Sequence, residues 1–449
     1  MLETTISDIN SDGEGLVRIG EERFVLFVPN ALPGERVQLR VVVKKRNYGL
    51  AKVIRRLSDS PVRTTPRCPA FGRCGGCQLQ HIVYPAQLEM KRKVVVDALE
   101  RIGGIASPNV AECVQSPHQW GYRNKVSLPV QNSRGERMRA GFYRPRSHDI
   151  IPYSHCPTLL PQMDEALAKM LGALRADGFC GVRDNKRPVG REMIRHIVIR
   201  RALNGGDMLC TIVCGRTPAK KERARLAAIA SAINGISGLS VDINESTGNF
   251  IWGGRTQAIC GAQTMTEQLG DFKFEFEASS FFQVNTEQAF ALYKEATSLA
   301  LVDSPQSILE LYSGVGTLTT FLASRGAHVT AVESWRPAAK FILPNAHANG
   351  IDSVVAHIAE AEDIIESLTT QKFDVAVLDP PRGGCDEKVV AALLKISPKR
   401  IVYVSCNPAT LARDAKALIG GGYRFVSARP FDMFPQTGHV ETVALFLLA

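Results

Sequence analysis

No stretch of this 449-residue sequence holds the ~18–20 consecutive apolar residues that a bilayer-crossing helix needs, so no membrane partner is expected. The opening "MLETTISDINSDGEG" lacks the cationic and apolar blocks of a secretory signal or transit peptide. Internal repeats and low-complexity tracts are also missing, so the chain is not expected to be a solenoid or a disordered tail. Aromatic residues make up only 7%, yet 45% of the residues are hydrophobic, enough for real cores. Acidic charge is in deficit: 54 Lys and Arg against 44 Asp and Glu give a net charge of +10. A basic excess of that size points to a polyanionic partner, nucleic acid first.

Cysteine is plentiful: eleven residues, an odd count, several in apolar runs such as "MLCTIVC". That usage suits reduced thiols in the cytoplasm.

At ~100–200 residues per domain the length allows about three domains. Residues 1–60 read as short strands ("EGLVRIG", "RFVLFVPN", "RVQLRVVVKK", "YGLAKVIRRL") broken by Gly and Pro, the spacing of a small β-barrel. Its later strands carry Arg36, Arg40, Lys44, Lys45, Arg46, Lys52, Arg55 and Arg56 with few acids between them. One basic face on a barrel can attract RNA phosphates; it can also be a charged edge that blocks sheet-to-sheet pairing. Residues 61–280 mix helices and strands in an α+β pattern. In residues 281–449 the strands "SILELYSG", "HVTAVES", "SVVAHIA", "FDVAVLDPP" and "RIVYVSCNP" alternate with helices, as in a doubly wound parallel sheet. Two further strands, "YRFVSARPFDMFP" and "VETVALFLLA", end the chain with no helix between them.

"ILELYSGVGTLTTFLASRGAHVTAVE" runs from a strand through Gly314 and Gly316 into a helix, and its second strand ends on Glu333. Such glycines let the backbone approach a ligand, and the acid is placed for ribose hydroxyls. Dinucleotide oxidoreductases carry a third glycine where this chain has Thr319. Glu310, the GxG turn and Glu333 suit S-adenosylmethionine better. The fourth strand ends at "LDPPRGG", so Asp379 stands at a strand C-terminus, where ligands sit in such folds. Enzymes that methylate amino groups carry an aromatic after a similar motif; here Arg382 follows, which argues against that chemistry.

"RIVYVSCNPATLARD" delivers Cys406 from an apolar strand onto a Ser-Cys-Asn-Pro turn at the same crevice. "FPQTGHVET" brings His439 and Glu441 to the same rim. A nucleophilic thiolate and a base beside a methyl donor suggest methylation of a pyrimidine carbon. Carbon 5 of uracil is too weak a nucleophile to take a methyl group directly. Thiolate addition at carbon 6 makes an enolate, and a base must later remove the carbon 5 proton.

"CPAFGRCGGCQLQH" spaces Cys68, Cys74 and Cys77 as C-x5-C-x2-C, with Cys156 of "IIPYSHCP" as a distant fourth thiolate. Such a set serves either a structural zinc or an iron–sulfur cluster.

Taken together, these motifs closely resemble the bacterial RNA (uracil-5-)-methyltransferase family, in particular its 23S rRNA-type members. Beyond the stretches already quoted, the resemblance rests on "GYRNKVSLPV" and "SSFFQVN" and covers almost the whole chain. It implies a TRAM-like RNA-binding barrel, a central α+β domain with a 4Fe–4S cluster on Cys68, Cys74, Cys77 and Cys156, and a Rossmann-like methyltransferase domain. It makes Cys406 the nucleophile and Glu441 the base, and assigns Gln283, Tyr312, Glu333, Glu360 and Asp379 to S-adenosylmethionine. Thr317 stands where many members have Asn, and Glu360 where Asp or Asn is common. The expected reaction is 5-methyluridine formation in 23S rRNA by a cytoplasmic monomer. The same chemistry on the tRNA T-loop and a non-catalytic RNA-binding assembly factor are the alternatives. A nicotinamide-dependent oxidoreductase would leave Cys406 and Glu441 idle.

Overall fold

The computed structural model describes residues 1–20, 24–133, 135–183, 192–248 and 250–449. Near the N-terminus, residues 2–9 form one bent segment shared by two neighbours. Leu2–Thr5 pairs antiparallel with Arg36–Lys44, and Asp8–Ile9 pairs with Glu14–Ile19. Between them the Ile6 amide donates to the Glu35 carbonyl (3.0 Å) and the Ser7 amide to the Leu16 carbonyl (2.9 Å). Phe24–Pro29 and Tyr48–Arg56 complete the path, so the ladder returns to its start and the barrel closes. Closure removes the free edges through which sheets aggregate. Arg23, expected in the second of these strands, lies outside the described residues. Alternation places Val17, Leu26, Val28, Val37 and Leu39 inside.

The next sheet runs in the order Thr256–Gly261, Ile236–Ile243, Met208–Cys214, Glu192–Arg201, Lys125–Ser133, Glu136–Tyr143 and Ile150–Pro152. Helix Pro161–Ala176 begins on a proline, whose missing N–H costs nothing in a first turn. Its Met163, Leu167, Met170 and Leu174 form one stripe, packed with Leu226 of helix Lys220–Ser231 against Ile197, Ile212 and Val241.

The C-terminal sheet has the order Val354–Ile358, His328–Glu333, Ser307–Leu311, Val375–Leu378, Arg400–Ser405, Glu441–Leu448 and Tyr423–Phe431. The first five strands are parallel; Glu441–Leu448 runs antiparallel to them, and Tyr423–Phe431 pairs antiparallel with Glu441–Leu448. Strand order reverses beside Ser307–Leu311, which opens a crevice at the strand C-termini.

Two upstream elements share this sheet's cores. Helix Tyr84–Arg101 contributes Val95 and Leu99 to a cluster with Leu411, Ala415 and Leu418. The hairpin Thr264–Leu269 and Phe272–Glu277 contributes Met265, Phe274 and Phe276 to a cluster with Ile308 and Val377. No described helix is long and apolar enough to cross a membrane.

Candidate active site

Strand Arg400–Ser405 stops at a turn that helix Pro408–Gly420 continues, and Cys406 lies one residue before that helix's N-cap. The cap is Asn407, whose Oδ1 accepts from the Ala409 amide (3.1 Å), while the Ser405 hydroxyl donates to the Asn407 carbonyl (3.0 Å). Asn407 Nδ2 also donates to the Arg382 carbonyl (3.0 Å), which fixes the Cys406 turn to the loop after Asp379. Ser405 pairs with Thr442 across antiparallel strands. Carried one residue on, that register sets Cys406 opposite Glu441.

Both residues line a cavity of about 1660 Å³ together with Gln283, Tyr312, Glu333, Glu360 and Asp379. All seven sequence-predicted residues of the C-terminal crevice therefore face one space. Burial pushes the Cys406 thiol up to about 11; Glu441 and Asp379 add to that, and Arg382 opposes it. Burial also raises Asp379 to about 7, with Glu333 contributing, and lifts Glu441, which is 3% exposed, well above the carboxylate range. A cation in the cavity would be attracted by this set of carboxyls and would favour their ionised forms.

Glu333 ends its strand with one carboxylate oxygen accepting from the Gly314 amide (2.8 Å) and the other from the Trp335 amide (2.7 Å). Each oxygen keeps a lone pair for a ligand hydroxyl. Gly314 has φ +59 and open space where a Cβ would stand. Tyr312 adopts φ +67, a left-handed conformation that bulky residues rarely adopt, at the edge of the same cavity. Glu310 is different: it is buried, accepts from the Thr319 hydroxyl, and is absent from the cavity wall. Thr319, which stands where dinucleotide enzymes carry a third glycine, is the residue that hydrogen-bonds this acid. Thr317 is buried in the first helical turn and does not line the cavity either.

Gln283 is aimed by the central sheet. Asn124 Nδ2 donates to the Gln283 carbonyl (3.0 Å), and the buried Arg200 donates to the carbonyls of Ser280 and Phe282 (3.1 Å each). The turn before Glu441 is stitched to residues that follow the cysteine motif. The Gln78 and Leu79 amides both donate to the Gln436 carbonyl (3.0 and 2.9 Å), and Gln87 Nε2 donates to Gln436 Oε1 (3.1 Å). Lys91 forms a buried ion pair with Asp432, and the Tyr122 hydroxyl donates to the Pro435 carbonyl (3.0 Å).

All eleven cysteines are free. Cys68, Cys74, Cys77 and Cys156 are half-buried. Burial, with Cys156, Cys74 and Cys68 adding to it, pushes the Cys77 thiol up to about 12, so the four share one neighbourhood. The Cys74 sulfur accepts from the Gly76 amide (3.4 Å), and the Gly75 amide docks on the Tyr143 carbonyl (2.8 Å). Among the described residues no three His, Cys, Asp or Glu side chains are gathered so as to hold a metal ion.

On the barrel, Arg36 pairs with Glu3 and Arg56 with Glu35. Arg40, Lys44, Lys45, Arg46, Lys52 and Arg55 are exposed with no carboxylate partner among the described residues. Sequence motifs did not single out Phe250, Trp252 and Trp335, which also line the cavity. Their one signal was an aromatic residue placed in a loop.

Known proteins share this architecture. The family model described as tRNA (Uracil-5-)-methyltransferase matches residues 262–448, and the TRAM domain model matches residues 1–54. A protein of Halalkalibacterium halodurans, described as an uncharacterized RNA methyltransferase, is 37% identical over 450 residues, covering 100% of this chain and 97% of the relative. An uncharacterized RNA methyltransferase of Staphylococcus epidermidis is 35% identical over 444 residues, covering 98% of this chain and 96% of its own length. Among solved structures, the Pyrococcus abyssi tRNA (uracil-54, C5)-methyltransferase in complex with S-adenosyl-L-homocysteine is similar with a TM-score of 0.78. It is 27% identical, and the match covers 99% of this chain and 100% of that one.

Proposed function

This chain belongs to the RNA (uracil-5-)-methyltransferase family with a TRAM domain, and we propose that it makes 5-methyluridine in 23S rRNA with S-adenosylmethionine as methyl donor. The observation that carries the chemistry is the antiparallel register that sets Cys406 opposite Glu441 at one cavity.

Cys406 attacks carbon 6 of a uracil seated in the cavity; the carbon 5–carbon 6 electron pair moves toward oxygen 4 as an enolate. S-adenosylmethionine supplies an electrophilic methyl group on a sulfonium, whose charge the Asp379 and Glu333 carboxyls favour. Carbon 5 accepts that methyl group as the sulfur–methyl bond breaks, its electron pair leaving with S-adenosylhomocysteine. Glu441 then takes the carbon 5 proton, the ring double bond re-forms, and the Cys406–carbon 6 bond breaks to return the thiolate. Gln283, Tyr312, Glu333, Glu360 and Asp379 hold the cofactor in this reading. Their common cavity and the left-handed Gly314 turn fit such a ligand. A base inside a duplex cannot reach Cys406, so the target uridine leaves its stack.

In this reading residues 1–60 grip RNA, residues 61–280 shape the site, and residues 281–449 carry the reaction. Cys68, Cys74, Cys77 and Cys156 would hold a 4Fe–4S cluster, which suits soft thiolate donors. Their shared neighbourhood, where each charge would raise the next, supports a cationic occupant. The reaction needs no electron transfer, so a bound cluster would play a structural part, holding the central domain in shape to grip RNA. Iron content and visible absorption of anaerobically purified protein test it. Oxidation should reduce folding or RNA affinity before the chemical step.

The tRNA T-loop is the second reading. A tRNA enzyme matches this chain over its full length, so the barrel and the cysteine motif do not by themselves single out rRNA. Free cysteines throughout support the cytoplasm, and we assign a monomer. The decisive experiment is mass mapping of 23S rRNA and tRNA from a deletion strain. Loss of 5-methyluridine from tRNA alone would replace the rRNA assignment.

A further inference from the structure

The loop that joins strand Ile236–Ile243 to strand Thr256–Gly261 places Phe250, Ile251 and Trp252 on the wall of the catalytic cavity. Phe250 is 83% exposed. A single exposed phenyl group is ordinary on a protein surface. Here, however, the backbone beneath it is braced on three sides. Asn244 Nδ2 donates to the carbonyls of Phe250 (2.6 Å) and Ile251 (2.9 Å), and its Oδ1 accepts from the Ser246 amide (3.0 Å). Arg195 reaches across from strand Glu192–Arg201 to the carbonyls of Asn244 and Gly248 (3.2 Å each). Asp242 accepts from the Gly253 amide and the Thr256 hydroxyl. Gly253 lies so close to the preceding strand that a Cβ would stand 1.9 Å from the Ile243 carbonyl oxygen. The Phe250 and Ile251 carbonyls and the Gly253 amide are thereby held without a ligand, so less backbone ordering is left for binding.

Charge beside the aromatics narrows the class of ligand. The Lys125 amine lies 5.6 Å from the Trp252 ring centre, with burial, then Arg200 and Arg123, holding its pKa well below the usual lysine value, and the guanidinium of Arg123 lines the same wall. Ile251 is also the common wall of a second cavity of about 450 Å³, whose lining includes Tyr143, His148 and Arg183. Aromatic faces alternating with cations, continuous with the cavity of a base-modifying site, match a single-stranded nucleic acid.

Resting on the proposed RNA methylation, we propose that this loop is the RNA-reading element of the enzyme. Phe250 and Trp252 each stack on a base that flanks the target uridine in an unpaired segment. Stacking there holds the neighbours while the uridine turns toward Cys406, so the loop sets affinity and sequence context rather than the rate of bond formation.

The test uses the full chain with Phe250→Ala, Trp252→Ala, Phe250→Leu and Trp252→Phe. Each alanine change is expected to weaken binding of an unmodified target-loop RNA by roughly tenfold or more, the range of base–aromatic stacking. Phe250→Leu, which keeps apolar bulk without a π face, should behave as the alanine variant, and Trp252→Phe should stay near wild type. S-adenosylhomocysteine affinity should be unchanged in all four. RNA affinity within about twofold of wild type for both alanine variants, each folded by its S-adenosylhomocysteine affinity, overturns the proposal. So does unchanged RNA affinity with a changed oligomeric state, which would give the surface to a second copy. If the alanine variants misfold, Phe250→Leu and Trp252→Phe decide between stacking and bulk. A wild-type enzyme that methylates no uridine defeats the functional reading instead, and RNA binding by the variants still decides the loop.

Discussion

The side-chain amide of Asn407 hydrogen-bonds to the main-chain carbonyl of Arg382 at 3.0 Å, joining the Cys406 turn to the loop that follows Asp379. Asn407→Ala removes that bond and the helix cap together. Cap loss alone costs about 1 kcal/mol. A modest fall in urea midpoint is expected, with a larger fall in turnover and nearly intact S-adenosylhomocysteine affinity. Equal losses in all three would mean that the side chain only stabilises the fold.

Cys406→Ala should abolish covalent adducts with 5-fluorouridine RNA, read by denaturing gel, while cofactor affinity stays near wild type. An undiminished methylation rate in that variant would remove the thiolate mechanism altogether.

Glu441→Gln should methylate and then stall before elimination, so that an RNA–protein adduct accumulates. Its effect on the free enzyme has a defined sign. The Cys406 thiol titrates near 11, and Glu441 is among the groups that raise it. Removing that charge must lower the thiol's pKa. Iodoacetamide alkylation of the Cys406 peptide should climb about tenfold per pH unit below the pKa in wild type, and the Gln variant should be faster at the alkaline pH values where Glu441 is ionised. Slower alkylation in the variant would contradict the electrostatic assignment.

Lys91→Met leaves Asp432 buried without its cation. Both side chains are at most 1% exposed, so a loss of roughly 3–5 kcal/mol is expected in denaturant unfolding. The double variant Lys91→Met/Asp432→Leu should recover a substantial part of it. No recovery would show that the pair matters through packing rather than charge.

Lys44→Ala and Arg46→Ala should weaken RNA binding and flatten its salt dependence, by roughly 0.7–0.9 in the log–log slope for each phosphate that is no longer neutralised. Both side chains are exposed on the barrel, so the chemical step should be unaffected.

Local chemistry made part of this site legible in the sequence. An apolar strand running into Ser-Cys-Asn-Pro gave Cys406 its place at a strand C-terminus, and alternating strand and helix patterns gave the parallel sheet. Long-range pairing was not legible: nothing near Cys406 indicates that Glu441 stands across from it, because a strand-to-strand register set that relationship. That Glu310 would be buried and bonded by the Thr319 hydroxyl was equally hidden, because the contact spans the turn of the glycine loop. Phe250 and Trp252 carried no periodicity, and only the braces from Arg195, Asn244 and Asp242 distinguish them from ordinary loop aromatics.

The Gln436 carbonyl takes two amides from residues 78 and 79. The segment it belongs to is also tied to Lys91 and Tyr122. Much of what shapes the turn before Glu441 thus comes from distant upstream chain. Anyone transplanting the terminal sheet onto another RNA-binding scaffold would carry the sulfur and the acid along and leave behind what aligns them.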